Sequence, residues 1–99
     1  GLTKIVIMFG SILRNEEKAN DIDLLLVFDK KNNSKINQFI KEKNQLLIKK
    51  LHSVKQTRAD LRKNIIKRDK AVIDALRNGI VLHGYEKIVE LIKNVTGKE

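Results

Sequence analysis

The chain has 99 residues, of which 41% are hydrophobic and 33% charged, with a net charge of +9 and no cysteine. This length predicts one small domain over residues 1–99, and the apolar content argues against disorder. The lack of cysteine excludes disulfides, thiolate zinc sites and a cysteine nucleophile. No apolar run approaches the ~20 residues that span a bilayer. We therefore expect a soluble cytoplasmic protein that does not contact a membrane.

Two short apolar runs predict strands near the N-terminus. Residues 3–9, TKIVIMF, are rich in β-branched side chains and end at Gly10, and residues 21–28, DIDLLLVF, form a second such run. The segment between them, residues 11–20, has room for only one or two helical turns and a polar loop.

The middle of the chain predicts a helix followed by a third strand. Residues 32–34 offer a helix cap, and a helix of about fifteen residues follows. Its apolar positions recur at helical spacing: Ile36, Phe39, Ile40, Leu47 and Leu51. Residues 51–57, LHSVKQT, alternate enough for a strand, and Thr57 with Asp60 resembles a capping pair.

The last third of the chain predicts three more helices and an extended piece. Apolar spacing favours short helices around 61–66 and 72–76, the second ended by Gly79. Residues 80–82 are extended, and a C-terminal helix covers 88–95. The predicted fold is α/β (α+β), a small mixed β-sheet flanked by helices.

Asp21 and Asp23 lie inside the most apolar part of the chain. Side chains two apart in a strand share a face, and Leu25 and Val27 continue that face as apolar, so we expect a strand covered on both sides. Two carboxylates in such a partly desolvated place repel each other unless a cation or donors neutralise them. Mg²⁺ prefers hard oxygen ligands of this kind. The alternative is a structural pair, with Asp21 in a turn and Asp23 beside a lysine.

A phosphate-binding turn is predicted directly after the first strand. Gly10 and Ser11 open a helical turn whose backbone N–H groups can point at a phosphate, and glycine leaves room for its approach. Arg14 lies three residues on from Ser11, on the same helical face, and its guanidinium can bind phosphate oxygens. Such residues are common in loops. They indicate a phosphate site only because they come just before the aspartates in the chain.

Taken together, these residues resemble a known family signature. The stretch 9–28, FGSILRNEEKANDIDLLLVF, resembles the signature of the DNA polymerase β-like nucleotidyltransferase superfamily, and is most similar to its minimal nucleotidyltransferases. The signature consists of Gly-Ser, a spacer of about ten residues, and two aspartates separated by a hydrophobic residue. Residues 76–84, LRNGIVLHG, also look like the C-terminal part of these proteins.

The resemblance implies a Mg²⁺-dependent nucleotidyltransferase. A nucleoside triphosphate, with ATP as the expected one, would give its nucleoside monophosphate to an acceptor hydroxyl on a protein, an RNA or a small molecule. Asp21 and Asp23 would be the catalytic residues that hold a two-metal Mg²⁺ site. Gly10 and Ser11 would bind the outer phosphates, and Arg14 would neutralise charge there.

One departure from the family pattern concerns a third carboxylate. Active members usually supply it from a later strand beside the aspartate pair, but the candidate strand offers His52, Lys55 and Gln56 instead. Asp60 would contribute only if the strand register differed from the predicted one. His52 is either a base or a structural residue. The sequence therefore leaves open whether the two-metal site is complete, and a catalytically weak nucleotide-binding module is an alternative function.

Positive charge is concentrated in residues 30–70, which hold fourteen basic and three acidic residues. Such a segment can attract a polyanion, so a basic module that binds nucleic acid or a protein partner is the third hypothesis. A solvated lysine-rich surface explains the same charge without a partner. Members of the family that the chain resembles usually have a helix before the first strand, whereas Thr3 here already begins that strand. The resemblance therefore implies a fragment that lacks an N-terminal helix or domain of a longer chain.

Overall fold

The computed structural model describes residues 1–97. Strands and helices follow in this order: β1 (Ile5–Phe9), α1 (Ser11–Arg14), β2 (Asp21–Val27), a 3₁₀ turn (Lys30–Asn32), α2 (Asn33–Leu46), β3 (Lys50–Gln56), α3 (Arg58–Ile66), α4 (Lys70–Asn78), β4 (Ile80–His83) and α5 (Tyr85–Thr96).

The strands form one mixed sheet with the order β3-β2-β1-β4. β1 pairs antiparallel with β2 and with β4, and β2 pairs in parallel with β3. A parallel pair needs a crossover connection, which α2 supplies between β2 and β3. The predicted α+β class with a small mixed sheet is therefore confirmed.

The sheet carries apolar clusters on both faces. Leu25 and Val27 are fully buried in a cluster to which α3, α4 and α5 contribute. Leu26 and Phe28 alternate with them and belong to a second cluster, formed with residues of α2. The expectation of a strand covered on both faces is confirmed, and this packing makes β2 a rigid support for the residues at its start.

The prediction for α2 was wrong at its C-terminal end. The helix ends at Leu46, so Leu47 lies beyond it and Leu51 belongs to β3. Leu51 still packs against the cluster of Ile36 and Ile40, which explains why it matched the helical spacing. The 3₁₀ turn before α2 was not predicted, and the expected cap residue Asn32 makes no side-chain capping hydrogen bond.

Two other helix boundaries agree with the sequence. Thr57 and Asp60 form the expected capping box at the start of α3. Gly79 ends α4, but at φ −76° it is not in the left-handed conformation that such a glycine usually adopts. A Cβ on Gly79 would lie 2.5 Å from Cγ2 of Ile7, so glycine is needed here for the close approach of α4 to β1.

Candidate functional site

Asp21 and Asp23 lie at the start of β2, one of the two inner strands of the sheet. Asp21 is exposed, and the Asp23 side chain is 22% exposed. Asp23 is opposite Phe9 of β1 on one side and His52 of β3 on the other. Its carboxylate is thus positioned by three adjacent strands.

Gly10 packs directly against the carboxylate of Asp23. Its φ of 84° lies in the region that favours glycine. A Cβ on Gly10 would overlap the Oδ2 atom of Asp23 and lie 3.0 Å from its Cγ. The structure therefore brings together the turn and the carboxylate that the sequence analysis considered parts of one site.

Ser11 and Arg14 occupy the short helix α1 that begins directly after Gly10. Both are exposed, and their spacing of three places them on one side of the turn. The turn is closed by hydrogen bonds from the Leu13 N–H to the Gly10 carbonyl, 3.1 Å, and from the Asn15 N–H to the Ser11 carbonyl, 2.9 Å. Within residues 1–97, Arg14 makes no salt bridge to either aspartate.

His52 lies where a third acidic side chain was sought. The Nδ1 atom of His52 is 3.0 Å from Oδ1 of Asp23, and the His52 side chain is 69% exposed. The predicted third strand is present as β3, beside β2. It contains no acidic residue and so supplies no third carboxylate to the site. In the described part of the chain, no three His, Cys, Asp or Glu side chains are grouped as a metal site.

Asp60 is remote from the aspartate pair. It lies in the first turn of α3, beyond the end of β3 that is farthest from His52, and its Oδ2 accepts a hydrogen bond from the Thr57 N–H at 3.0 Å. This bond, followed by the one with the Thr57 side chain, holds the pKa of Asp60 below its ordinary value of 3.8. Asp60 thus stays ionised as a helix cap.

Two residues that the sequence analysis did not single out hold the backbone next to the site through hydrogen bonds. Asn44 of α2 accepts a hydrogen bond from the Leu51 N–H at 2.7 Å and donates one to the Leu51 carbonyl at 3.3 Å. This contact anchors the strand one residue before His52. The Lys49 ammonium donates to the carbonyls of Glu16 and Ala19, at 2.8 and 2.6 Å, and so holds the loop that leads into Asp21.

A family model for the nucleotidyltransferase domain matches residues 3–82. The chain belongs to this nucleotidyltransferase family. The matched range contains Gly10, Ser11, both aspartates and β3, and ends within β4. Searches of curated proteins and of solved structures found no significant match.

The family resemblance inferred from residues 9–28 is therefore confirmed. Membership supports nucleotidyl transfer as the general activity and a nucleotide as the substrate, and the family generally uses divalent metals. Among the helices of the described residues, none has the length and apolar character needed to cross a bilayer.

Proposed function

We propose that this nucleotidyltransferase domain transfers the nucleoside monophosphate of ATP to an acceptor hydroxyl on a protein, an RNA or a small molecule. The contact between Gly10 and the Asp23 carboxylate carries this proposal, because it joins a phosphate-binding turn to an acidic side chain. The acceptor oxygen forms a bond to the α-phosphorus as the bond to the pyrophosphate oxygen breaks. The hydroxyl proton is released, and pyrophosphate leaves.

In this proposal the turn binds the phosphates and the aspartates bind the metal. Gly10 and Ser11 bind the outer phosphates through backbone N–H groups and the serine hydroxyl, and Arg14 neutralises charge beside them. Asp21 and Asp23 are hard oxygen donors on one strand face, and within residues 1–97 Asp21 is in no salt bridge. This donor set fits Mg²⁺ bound jointly by protein carboxylates and substrate phosphates. Bound there, Mg²⁺ would stabilise charge on the attacking and leaving oxygens.

His52 favours a second candidate, a domain that binds the nucleotide but turns it over weakly. In active relatives of the family a third carboxylate is expected beside the pair, whereas here the Nδ1–H of His52 donates a hydrogen bond to Oδ1 of Asp23. The imidazole orients Asp23 but adds no negative charge for a second cation. Nucleotide and one Mg²⁺ can bind in such a site even where transfer is slow.

Labelled ATP tests the proposed reaction. We expect the α-phosphate label to enter an acceptor, tried first with bulk tRNA and with the protein itself, while the γ-phosphate label leaves in pyrophosphate. Asp21→Asn and Asp23→Asn should abolish incorporation, and Asp74→Asn, a change at a half-buried acid on α4, serves as the matched control. Incorporation of the γ label without the α label would indicate phosphoryl transfer and contradict the proposal.

Thermal unfolding distinguishes the two candidates. A nucleotide at about ten times its Kd adds about 1.4 kcal/mol to the free energy of unfolding, which raises Tm by roughly 6–11 °C in a domain of this size. A shift with ATP and Mg²⁺ but no incorporation of label supports the weak nucleotide-binding module. The absence of both a shift and incorporation argues against both candidates.

A further inference from the structure

The two aspartates of the candidate site are held in different ways. The Asp23 carboxylate packs against Gly10 and accepts a hydrogen bond from the Nδ1–H of His52. Asp21 is exposed, and among the described residues its carboxylate is in no hydrogen bond or salt bridge. The position of Asp21 therefore depends on its backbone, which begins β2, and on the loop that leads into it.

This loop, residues 15–20, joins α1 to Asp21. Inside it, the Ala19 N–H donates to the Asn15 carbonyl at 3.1 Å, and the Lys18 N–H donates to the Asn15 side-chain oxygen at 3.3 Å. Both hydrogen bonds are local. They shape the loop as a turn but do not attach it to the sheet.

Lys49 attaches the loop to the sheet. Its Nζ atom donates to the Glu16 carbonyl at 2.8 Å and to the Ala19 carbonyl at 2.6 Å. Among the described residues, these are the only side-chain hydrogen bonds that join the loop to another segment. Lys49 comes directly before β3, whose first residue, Lys50, is the register partner of Asp21. The two bonds therefore reach the loop from the strand that pairs with β2.

The surroundings of the Lys49 ammonium strengthen these two hydrogen bonds. Lys49 is half-buried, and Ala19 is only 5% exposed. Hydrogen bonds from a charged donor are stronger than neutral ones, and partial shielding from water increases their strength. They join positions that are 33 and 30 residues apart in the chain. The loop is thus fixed by long-range contacts at two points just before Asp21.

We propose that Lys49 is a positioning residue for the metal site. By holding the loop at two carbonyls, it fixes Asp21 beside Asp23 and so raises the affinity of the pair for a divalent cation. Lys49 acts only through the loop and contacts neither the nucleotide nor the cation. This inference rests on the proposed function, since it requires the aspartates to bind the cation together with the nucleotide.

Removal of Lys49 distinguishes positioning from simple charge, because the two predict opposite changes in cation affinity. A lysine near two carboxylates repels a cation, so loss of its charge alone would tighten cation binding, by at most about twofold at ~10 Å in water. Loss of the two hydrogen bonds would weaken cation binding, because the loop and Asp21 would have to be ordered when the cation binds.

Mn²⁺ binding to the full chain with a non-hydrolysable ATP analogue tests the proposal, with the EPR signal of free Mn²⁺ as the readout. We expect Lys49→Met to raise the Kd for Mn²⁺ about tenfold, as for other groups that orient metal ligands. Lys49→Arg keeps the charge and the donors, so its Kd should stay within about threefold of that of the unaltered chain. An unchanged or lower Kd in Lys49→Met, or an equal rise in both variants, would overturn the proposal.

Lys50→Met is the matched control. It removes the same charge from the neighbouring residue, but the Lys50 ammonium donates to the carbonyls of Asn44 and Leu47, at 2.6 and 2.7 Å, at the end of α2. We expect its Kd for Mn²⁺ to stay within about twofold of that of the unaltered chain. An equal loss of affinity in Lys49→Met and Lys50→Met would show a general loss of order at the start of β3 and overturn the proposal.

Amide hydrogen exchange provides a second measurement, which needs no metal. Exchange at Lys18 and Ala19 should be faster in Lys49→Met than in Lys50→Met, while exchange in β1 stays the same. Equal exchange in the loop of the two variants would overturn the proposal. If Lys49→Met does not fold, Lys49→Gln, with a shorter and neutral donor, takes its place, and the same directions of change are expected.

Asp21→Asn distinguishes failure of this proposal from failure of the proposed function. If Asp21→Asn weakens Mn²⁺ binding and Lys49→Met does not, the aspartate site stands and only the role of Lys49 is wrong. If the unaltered chain binds no Mn²⁺ with the analogue, or Asp21→Asn binds it equally well, the site itself is wrong and both proposals are overturned.

Discussion

Replacing Gly10 with alanine perturbs the contact on which the proposed site depends. The new Cβ would overlap Oδ2 of Asp23, and alanine would be held at a φ of 84°. With ψ at −157° this conformation is one that essentially only glycine adopts, and alanine there costs about 1–3 kcal/mol. Displacing the carboxylate from a packed position costs a further 1–3 kcal/mol, roughly. We expect a total loss of roughly 2–6 kcal/mol in the free energy of unfolding, and a fall in Tm of at least about 8 °C.

A double-mutant cycle with Asp23→Ala isolates the contact. Removing the carboxylate removes the atoms that the new Cβ would overlap, so Gly10→Ala should then cost only its backbone part. Urea unfolding of the four proteins should give a coupling energy of about 1–3 kcal/mol between the two positions. Gly97→Ala, at φ 71° with open space around it, shows the effect of a positive φ without an overlap. Additivity of Gly10→Ala and Asp23→Ala within about 0.5 kcal/mol would refute the reasoning.

Three further outcomes are expected. His52→Asp adds a carboxylate beside the aspartate pair. Without metal, its Tm should fall because like charges repel, and Mg²⁺ should raise its Tm more than that of the unaltered chain. An equal rise in Tm with Mg²⁺ in the control His83→Asp would contradict this. Asn44→Ala removes both hydrogen bonds to the start of β3 and should cost about 1–3 kcal/mol in urea unfolding; a loss below about 0.5 kcal/mol would argue against this anchor. The lowered pKa of Asp60 contributes stability above pH 3.8 that is lost as pH falls through the folded pKa. Asp60→Asn should therefore be less stable than the unaltered chain at pH 6, and the two stabilities should converge at low pH. A constant difference in stability across that range would contradict the role of the ionised Asp60 cap.

The main elements of the fold were predictable because their apolar patterns reflect burial. Leu24 to Val27 alternates between two apolar clusters, and the capping pair at Thr57 is a local signal that needs no tertiary information. The end of α2 was not predictable in the same way. Leu51 faces the same cluster from a strand as it would from a helix, so spacing alone does not distinguish the two.

The candidate site was predictable where it is local in sequence. Gly10, Ser11 and the aspartates are joined by one short connection, and a β-hairpin-like pairing of β1 with β2 brings them together. The contact of His52 with Asp23 depends instead on the register of β3, which the Asn44 side chain helps to hold from another element. Nothing within residues 50–56 specifies that register, so the partner of Asp23 required the structure.

The most direct test of the proposed site uses Mn²⁺ with an ATP analogue whose α,β bridging atom is carbon, which does not require an acceptor. Mn²⁺ broadens the NMR signals of nuclei near it. With the analogue present, the account predicts loss of the amide signals of Gly10, Ser11 and His52, while those of Gln56 and Thr57 at the opposite edge of the sheet persist. Asp21→Asn combined with Asp23→Asn should restore the lost signals. Broadening centred on Gln56, or equal broadening in the aspartate variant, would contradict the account.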